Sequence, residues 1–279
     1  MEMIDDRFVA LGASRYKVRR FWPTREFDST VISDVAVMAD GRVAALVRAT
    51  PQLRVFTPDG EPSAEWAVPE LMSGHYVSGR RDGGLLVADW DGHQILAVDT
   101  DGTCTWSLGA PERPKWMAPF NHPTSAAEGR DGRLYVSDGY GNFCVHRFGK
   151  DRKLQATLGK PGAGPGAFTT PHCVVLDKEG DVYVADRENN RIQVFDAEGT
   201  WKRQLGNLYK PMALAFTPEG DLLVTDQTPC LSRMTANGEL LGRCRTEGTV
   251  GHGLDCAADG SIYIAEMQPP ALTKLAPLR

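Results

Sequence analysis

One motif recurs six times along the chain: an Asp-Gly or Glu-Gly pair followed by a short run of alternating apolar residues. A tight turn followed by β-branched and aromatic residues is typical of a β-hairpin. The acidic residues of the six pairs lie 42, 49, 48, 40 and 40 residues apart, at Asp40, Asp82, Asp131, Glu179, Glu219 and Asp259. Spacings of roughly 40 to 50 residues are typical of propeller blades. The sequence therefore predicts an all-β, six-bladed β-propeller.

Each repeat predicts a meander of about four strands. The run 182–186 (VYVAD), for example, is followed by a second apolar run at 191–195 (RIQVF) and then by another turn. Helical periodicity is absent. Because the six repeats form one array, we expect a single domain over residues 1–279. A ring closes only if its first and last blades are joined, and we expect a strand within residues 16–22 (YKVRRFW) to complete the last blade.

One column of equivalent positions holds histidine in every second blade. Seven residues before each turn acid, the chain reads Ser33, His75, Thr124, His172, Met212 and His252. A lone histidine near a strand end is usually structural, but three of only six histidines in strict alternation are not expected by chance. Three imidazoles with an open fourth position are typical of catalytic zinc, and imidazole also binds other divalent transition metals. We therefore predict zinc or another such metal at His75, His172 and His252.

The residues that follow the second strand of each blade are expected to surround the same end of the axis. Eight residues after the turn acids, the column reads Arg48, Trp90, Gly139, Arg187, Gln227 and Met267, and Tyr140 follows Gly139. Arginine can hold a carboxylate and tyrosine can move a proton. Arg48, Arg187 and Tyr140 are thus candidate catalytic residues for a small-molecule substrate that carries a carboxylate.

Acidic residues end the second strand in five blades, and this recurrence indicates that they cap loops and take no part in chemistry. They are Asp89, Asp138, Asp186, Asp226 and Glu266.

Composition argues against several partners. The net charge of -5 and the pI of about 5.7 argue against nucleic-acid binding, which needs clustered cations. No apolar run approaches the roughly 18 residues of a membrane span, and residues 1–10 do not resemble a signal peptide. The six cysteines show no CxxC spacing, which favours reduced, buried thiols. We expect a cytoplasmic protein that binds neither membrane nor nucleic acid.

Three segments resemble the NHL-repeat propellers and, within them, the peptidyl-α-hydroxyglycine α-amidating lyase family: 137–142 (SDGYGN), 166–172 (GAFTTPH) and 184–195 (VADRENNRIQVF). The resemblance extends from about Arg48 to the end of the chain and is closest in the middle blades. It implies that the three histidines bind zinc. It also implies that Tyr140 acts as the base and that Arg187, with Arg48, contacts the substrate.

The chain departs from this family in two places. The family has an aspartate after the third histidine that helps to bind a structural calcium ion, whereas this chain has Gly253, so calcium binding is left open. The family's disulfide cysteine after the DGY tyrosine is Gly141 here. No monooxygenase domain is evident, and peptide amidation is therefore not the expected task.

Three functional hypotheses follow. The first is a metal-dependent lyase that cleaves the C–N bond of a carbinolamide or related α-hydroxy compound, with metal and Tyr140 acting on the substrate hydroxyl. The second uses the same site in a hydrolase, such as a lactonase, or in an isomerase. The third is a non-enzymatic interaction propeller. The Pro-rich insertion 110–121 is either a lid or a surface loop, and we favour the loop.

Overall fold

A computed structural model describes residues 7–23, 30–111 and 113–278. These residues form strands and one short 3-10 helix, Arg187–Asn189, so the prediction of an all-β six-bladed propeller is confirmed. Five blades have four antiparallel strands each. In chain order these are blade one, β3 (Ile32–Val37), β4 (Val43–Val47), β5 (Leu53–Phe56) and β6 (Pro62–Trp66); blade two, β7 (Gly74–Gly79), β8 (Leu85–Asp89), β9 (Gln94–Val98) and β10 (Cys104–Gly109); blade three, β11 (Ser125–Glu128), β12 (Leu134–Asp138), β13 (Cys144–Phe148) and β14 (Leu154–Leu158); blade four, β15 (Pro171–Leu176), β16 (Val182–Asp186), β17 (Arg191–Phe195) and β18 (Trp201–Leu205); and blade five, β19 (Pro211–Phe216), β20 (Leu222–Asp226), β21 (Cys230–Met234) and β22 (Leu240–Arg245).

The sixth blade is built from both ends of the described chain. Its strands are β23 (Gly251–Cys256), β24 (Ile262–Met267) and β25 (Pro270–Pro277), followed by β2 (Ser14–Arg19) and β1 (Arg7–Leu11). β2 pairs with β25, with Val18 opposite Leu275, and this pairing confirms the predicted closure of the ring by an N-terminal strand.

The bounds of the closing strand were wrong, however. β2 ends at Arg19 because Phe21 has a φ of 56°, a left-handed conformation that cannot continue a strand. The sequence also gave no indication of β1, which adds a fifth strand to this blade. Residues 1–6 and 24–29, Glu112 and Arg279 lie outside the described part of the chain.

The recurrent acid-glycine pairs form the turns between the first two strands of each blade. In blade three, Asp131 Oδ1 accepts a hydrogen bond from Arg133 N at 3.0 Å, and Gly132 has a φ of 81°. A side chain would be strained at that φ, which explains why glycine follows the acid.

The hydrophobic core lies between adjacent blades. β4, β8, β12, β16 and β20 consist entirely of buried residues, and bulky side chains such as Tyr135, Phe168 and Leu46 are fully buried between the sheets. All six cysteines are free thiols; Cys144 and Cys173 are buried and the other four are partly buried. No helix within the described ranges is long and apolar enough to cross a membrane.

The first strand of each blade lines the central axis. These inner strands all begin at one end of the axis, which we call the mouth, and run towards the acid-glycine turns at the opposite end. The second strands run back and end at the mouth. The fold therefore brings the starts of the inner strands and the ends of the second strands to one place.

Candidate metal centre

Three histidines meet on the axis at the mouth. His75, His172 and His252 are each the second residue of an inner strand, in blades two, four and six. All three are buried, and one ring nitrogen from each lies within 4.8 Å of the other two. Their ring centroids are 4.9, 4.9 and 5.2 Å apart, with edge-to-face packing. The predicted column of histidines thus forms one cluster that has the donors of a metal site.

The alternate blades supply an acceptor for each imidazole. His75 Nδ1 lies 2.7 Å from the carbonyl oxygen of Thr124, and His172 Nδ1 lies 2.9 Å from that of Met212. His252 Nδ1 lies 2.6 Å from the carbonyl oxygen of Ser33. A carbonyl oxygen only accepts hydrogen bonds, so each Nδ1 carries the proton and each Nε2 keeps its lone pair. A hydrogen bond of this kind is the usual support of a metal-binding histidine.

Burial and the nearby charge of Arg187 keep the three imidazoles neutral. Burial is the main cause that lowers the pKa of all three imidazoles, of His252 to about 4 and of His75 and His172 well below the usual value. Arg187 lowers all three further because a second positive charge nearby is unfavourable. Neutral imidazoles are the form that binds a metal.

The residues therefore fit a transition-metal ion. Three unprotonated Nε2 atoms converge, their tautomers are fixed by backbone carbonyls, and no fourth His, Cys, Asp or Glu ligand joins the cluster among the described residues. Three histidines with an open position are the donor set of catalytic zinc.

Tyr140 lies directly over two of the histidines. Its hydroxyl oxygen is 3.0 Å from His75 Nε2 and 3.0 Å from His172 Nε2. Arg187 Nη1 donates to the same oxygen at 3.3 Å, and its guanidinium lies 5.5 Å from the Tyr140 ring centre. The pKa of the Tyr140 phenol is raised, mainly by burial, and the positive charges of Arg187 and Arg48 offset only part of this increase.

Arg48 and Trp90 form another side of the mouth. Arg48 is exposed; its Nη2 donates to Ser33 Oγ at 3.4 Å, and its guanidinium lies 5.8 Å from the Trp90 ring. Trp90 contacts the Tyr140 ring at 5.6 Å between centroids and donates from Nε1 to Ser73 Oγ. The structure thus places all the predicted site residues around the mouth, with Arg187 in contact with Tyr140 and Arg48 further out.

The acidic residues at the strand ends bind backbone amides, as their recurrence indicated. Asp89 accepts hydrogen bonds from the N–H groups of Met72 and Ser73, and Asp186 accepts one from Thr169. Asp138 and Asp226 accept from Asn121 and Tyr209, and Glu266 accepts from Gly248. These carboxylates connect five of the six blades to the segment that enters the blade.

The described part of the insertion, residues 110–111 and 113–121, lies beside the mouth as an irregular loop. Asn142, two residues after Tyr140, donates to the carbonyl oxygens of Lys115 and Ala118 and accepts from Met117 N. Trp116 is 68% exposed. These contacts, together with the hydrogen bond from Asn121 N to Asp138, fit the surface loop that the sequence favours.

Sequence analysis missed one residue of the site, Tyr76. It follows His75 and is 5% exposed, and its ring contacts all three imidazoles. The column one position after the histidines reads Asp34, Tyr76, Ser125, Cys173, Ala213 and Gly253. Tyr76 is its one aromatic residue, and that was the available signal.

The fold and the axial histidines define the class of this molecule: a six-bladed β-propeller with a candidate metal centre at one end of its axis. The NHL repeat family model matches residues 168–195, within and just before blade four. NHL repeat-containing protein 3 of Mus musculus is 30% identical over 240 residues, which are 81% of this chain and 67% of that protein. The chain therefore belongs to the NHL-repeat proteins, and this prediction is confirmed.

Relatives with enzyme names are more distant. A probable peptidyl-alpha-hydroxyglycine alpha-amidating lyase of Caenorhabditis elegans is 26% identical, covering 92% of this chain and 76% of that protein. Among solved structures, a streptogramin B lyase matches with a TM-score of 0.67 at 13% identity, covering 97% of this chain and all of that one. The second match shows the shared fold alone.

Proposed function

We propose that this protein is a metal-dependent lyase, with zinc the favoured metal, that cleaves the C–N bond of a carbinolamide-type small molecule bearing a carboxylate. The observation that carries the proposal is the position of Tyr140. Its hydroxyl oxygen lies 3.0 Å from two imidazole nitrogens that keep their lone pairs, and an arginine donates to it. A phenol in such a position can exchange a proton with a substrate hydroxyl next to the histidines.

His75, His172 and His252 would hold the metal. When bound, a divalent ion supplies Lewis acidity and a positive charge that lower the pKa of neighbouring hydroxyl groups. The protein's own contribution is to keep the three Nε2 atoms unprotonated and aimed at one point, which the three backbone carbonyls do.

The reaction needs one base and one anchor. Tyr140, as phenolate, takes the proton of the substrate hydroxyl; the O–H electron pair forms the aldehyde C=O, and the C–N bond breaks. The nitrogen then takes that proton from Tyr140, which restores the phenolate. The products are an amide and an aldehyde acid. Arg187 and Arg48 place two guanidinium groups around the mouth, and a guanidinium binds a carboxylate in a bidentate manner.

The first test is elemental analysis of the purified protein and of His172→Ala. We expect close to one transition-metal ion per chain, lost in the variant. A protein that binds no metal when zinc is added would refute the proposed lyase activity and favour a non-enzymatic interaction propeller.

The second test is turnover of N-acyl-α-hydroxyglycines, followed as release of the aldehyde acid, beside a panel of lactones. Tyr140→Phe should abolish turnover and keep the metal. Tyr135→Phe is the matched control, because Tyr135 lies in the same blade, is buried, and donates from its hydroxyl to the Ala197 carbonyl oxygen far from the histidines. Hydrolysis of lactones without C–N cleavage would assign the site to a hydrolase.

A further inference from the structure

We infer that Tyr76 is an axial positioning residue that holds the metal-binding histidines in place and takes the position of a structural cation. The inference rests on the proposed metal site. Tyr76 points from blade two to the axis, where its ring centroid lies 4.9, 5.4 and 5.2 Å from those of His75, His172 and His252. A ring at nearly equal distance from three rings that surround the axis lies on that axis.

The hydroxyl of Tyr76 joins blade two to three other blades. It lies 2.6 Å from the carbonyl oxygen of His252 and 2.9 Å from that of Met212, and it can donate its proton to either. His172 Nδ1, which already donates to Met212, is 3.4 Å from the same hydroxyl oxygen and can share its proton with it. Tyr76 therefore contacts the backbone carbonyl of His252. It also contacts the hydrogen bond from His172 to Met212 that fixes the tautomer of His172.

Tyr76 also fills the space between the histidines and a cavity of about 210 Å³ further along the axis. This cavity is lined by Asp34 and Asp255, and each carboxylate already accepts a backbone N–H of the next blade, from Val77 and Val37. The axial carboxylates thus serve as contacts between blades.

Calcium takes six to eight oxygen ligands, and among the described side chains around Tyr76 only Asp34 Oδ1 is buried without a hydrogen-bond partner. The carbonyl oxygens of Ser33, Thr124 and Met212 already accept protons from the histidines, and that of His252 faces the Tyr76 hydroxyl. An aspartate cannot replace Gly253 without a rearrangement, because its Cβ would lie 2.2 Å from Asp34 Oδ1. The contacts between blades that an axial cation would make are made here by a phenol.

The test compares Tyr76→Phe with Tyr135→Phe, each of which loses one phenol-to-carbonyl hydrogen bond inside the protein. Zinc affinity is measured by competition with a chromophoric chelator, and stability by urea unfolding. We expect both variants to fold and to lose similar stability, while only Tyr76→Phe binds zinc about 10-fold to 100-fold more weakly, the usual effect of removing a group that orients metal ligands. The ¹⁵N-edited imidazole spectrum should show a changed His172 signal in Tyr76→Phe alone.

Equal zinc affinity in Tyr76→Phe and the wild type would overturn the inference and leave the proposed function standing. A wild-type protein that binds no zinc would overturn both. For the cation, we expect millimolar calcium and excess EGTA to leave the unfolding midpoint of the wild type unchanged. A midpoint that rises with calcium would show that Tyr76 does not replace the ion.

Discussion

Replacing His252 by glutamine should make the metal-free protein more resistant to acid. The pKa of this imidazole is lowered to about 4 in the folded protein, mainly by burial, from about 6.5 in an unfolded chain. Above pH 6.5 both states hold it neutral and the group has no effect. As the pH falls below 6.5 the unfolded state gains a proton that the folded state cannot accept, so stability is lost until the pH reaches about 4.

The size of this effect follows from the two pKa values. At pH 5, a shift from about 6.5 to about 4 makes unfolding about 2 kcal/mol easier than at pH 7.5. Glutamine does not titrate, so between pH 7.5 and pH 5 the free energy of unfolding of His252→Gln should fall by about 2 kcal/mol less than that of the wild type. His75 would add to the difference, because the charge of His252 contributes to lowering its pKa.

The measurement is urea unfolding of both proteins at pH 7.5 and pH 5, with a chelator present so that only protons compete for the nitrogens. The comparison between variant and wild type cancels the carboxyl groups that titrate in the same range, such as Asp255, whose pKa burial raises to about 6. An equal loss of stability in the two proteins would show that His252 is protonated in the folded state at pH 5. The conclusion that burial keeps the three histidines neutral would then be wrong.

Two further predictions concern the base and the closure of the ring. The charge of Arg187 lowers the pKa of Tyr140, so Arg187→Gln should raise that pKa and leave the metal content unchanged. The acid limb of the pH profile of kcat should then move to higher pH. An acid limb that does not move would show that Arg187 does not affect the pKa of the catalytic base. Deleting residues 1–20 removes β1 and β2 and uncovers the edge of β25, so calorimetry should show a broad, weakly cooperative transition. A truncated protein that melts sharply near the wild-type temperature would show that the ring does not need this strand.

The blades could be predicted from the sequence because every repeat carries its own turn and strand signals. The acid-glycine pairs fixed the turn positions, and these fixed the equivalent positions from which the histidine column was read. β1 could not be found in this way, since the segment Arg7–Leu11 lies outside the six repeats and, among the described strands, pairs only with β2. Its strand conformation depends on a partner that is itself placed by ring closure.

The contacts that support the site could not be predicted from the sequence, for a different reason. The groups that fix the histidine tautomers are the backbone carbonyls of Ser33, Thr124 and Met212, and a carbonyl has no sequence signature. Tyr76 carried only a weak signal, because a tyrosine within an apolar strand is ordinary core. Its role depends on its position on the propeller axis, and that position cannot be predicted from the sequence.

The alternation of histidine in the column has a physical cause in the width of the axis. Three imidazoles already pack edge to face with centroids 4.9 to 5.2 Å apart, near the lower limit for ring contacts, so three more could not enter the same layer. Blades one, three and five place Ser33, Thr124 and Met212 there, and their carbonyls accept the Nδ1 protons. Six equivalent positions therefore divide into three candidate ligands and three supports. One side of the histidine cluster faces Tyr76 and the other faces Tyr140, so a substrate of the proposed metal site would bind on the Tyr140 side, where Arg187 is also found.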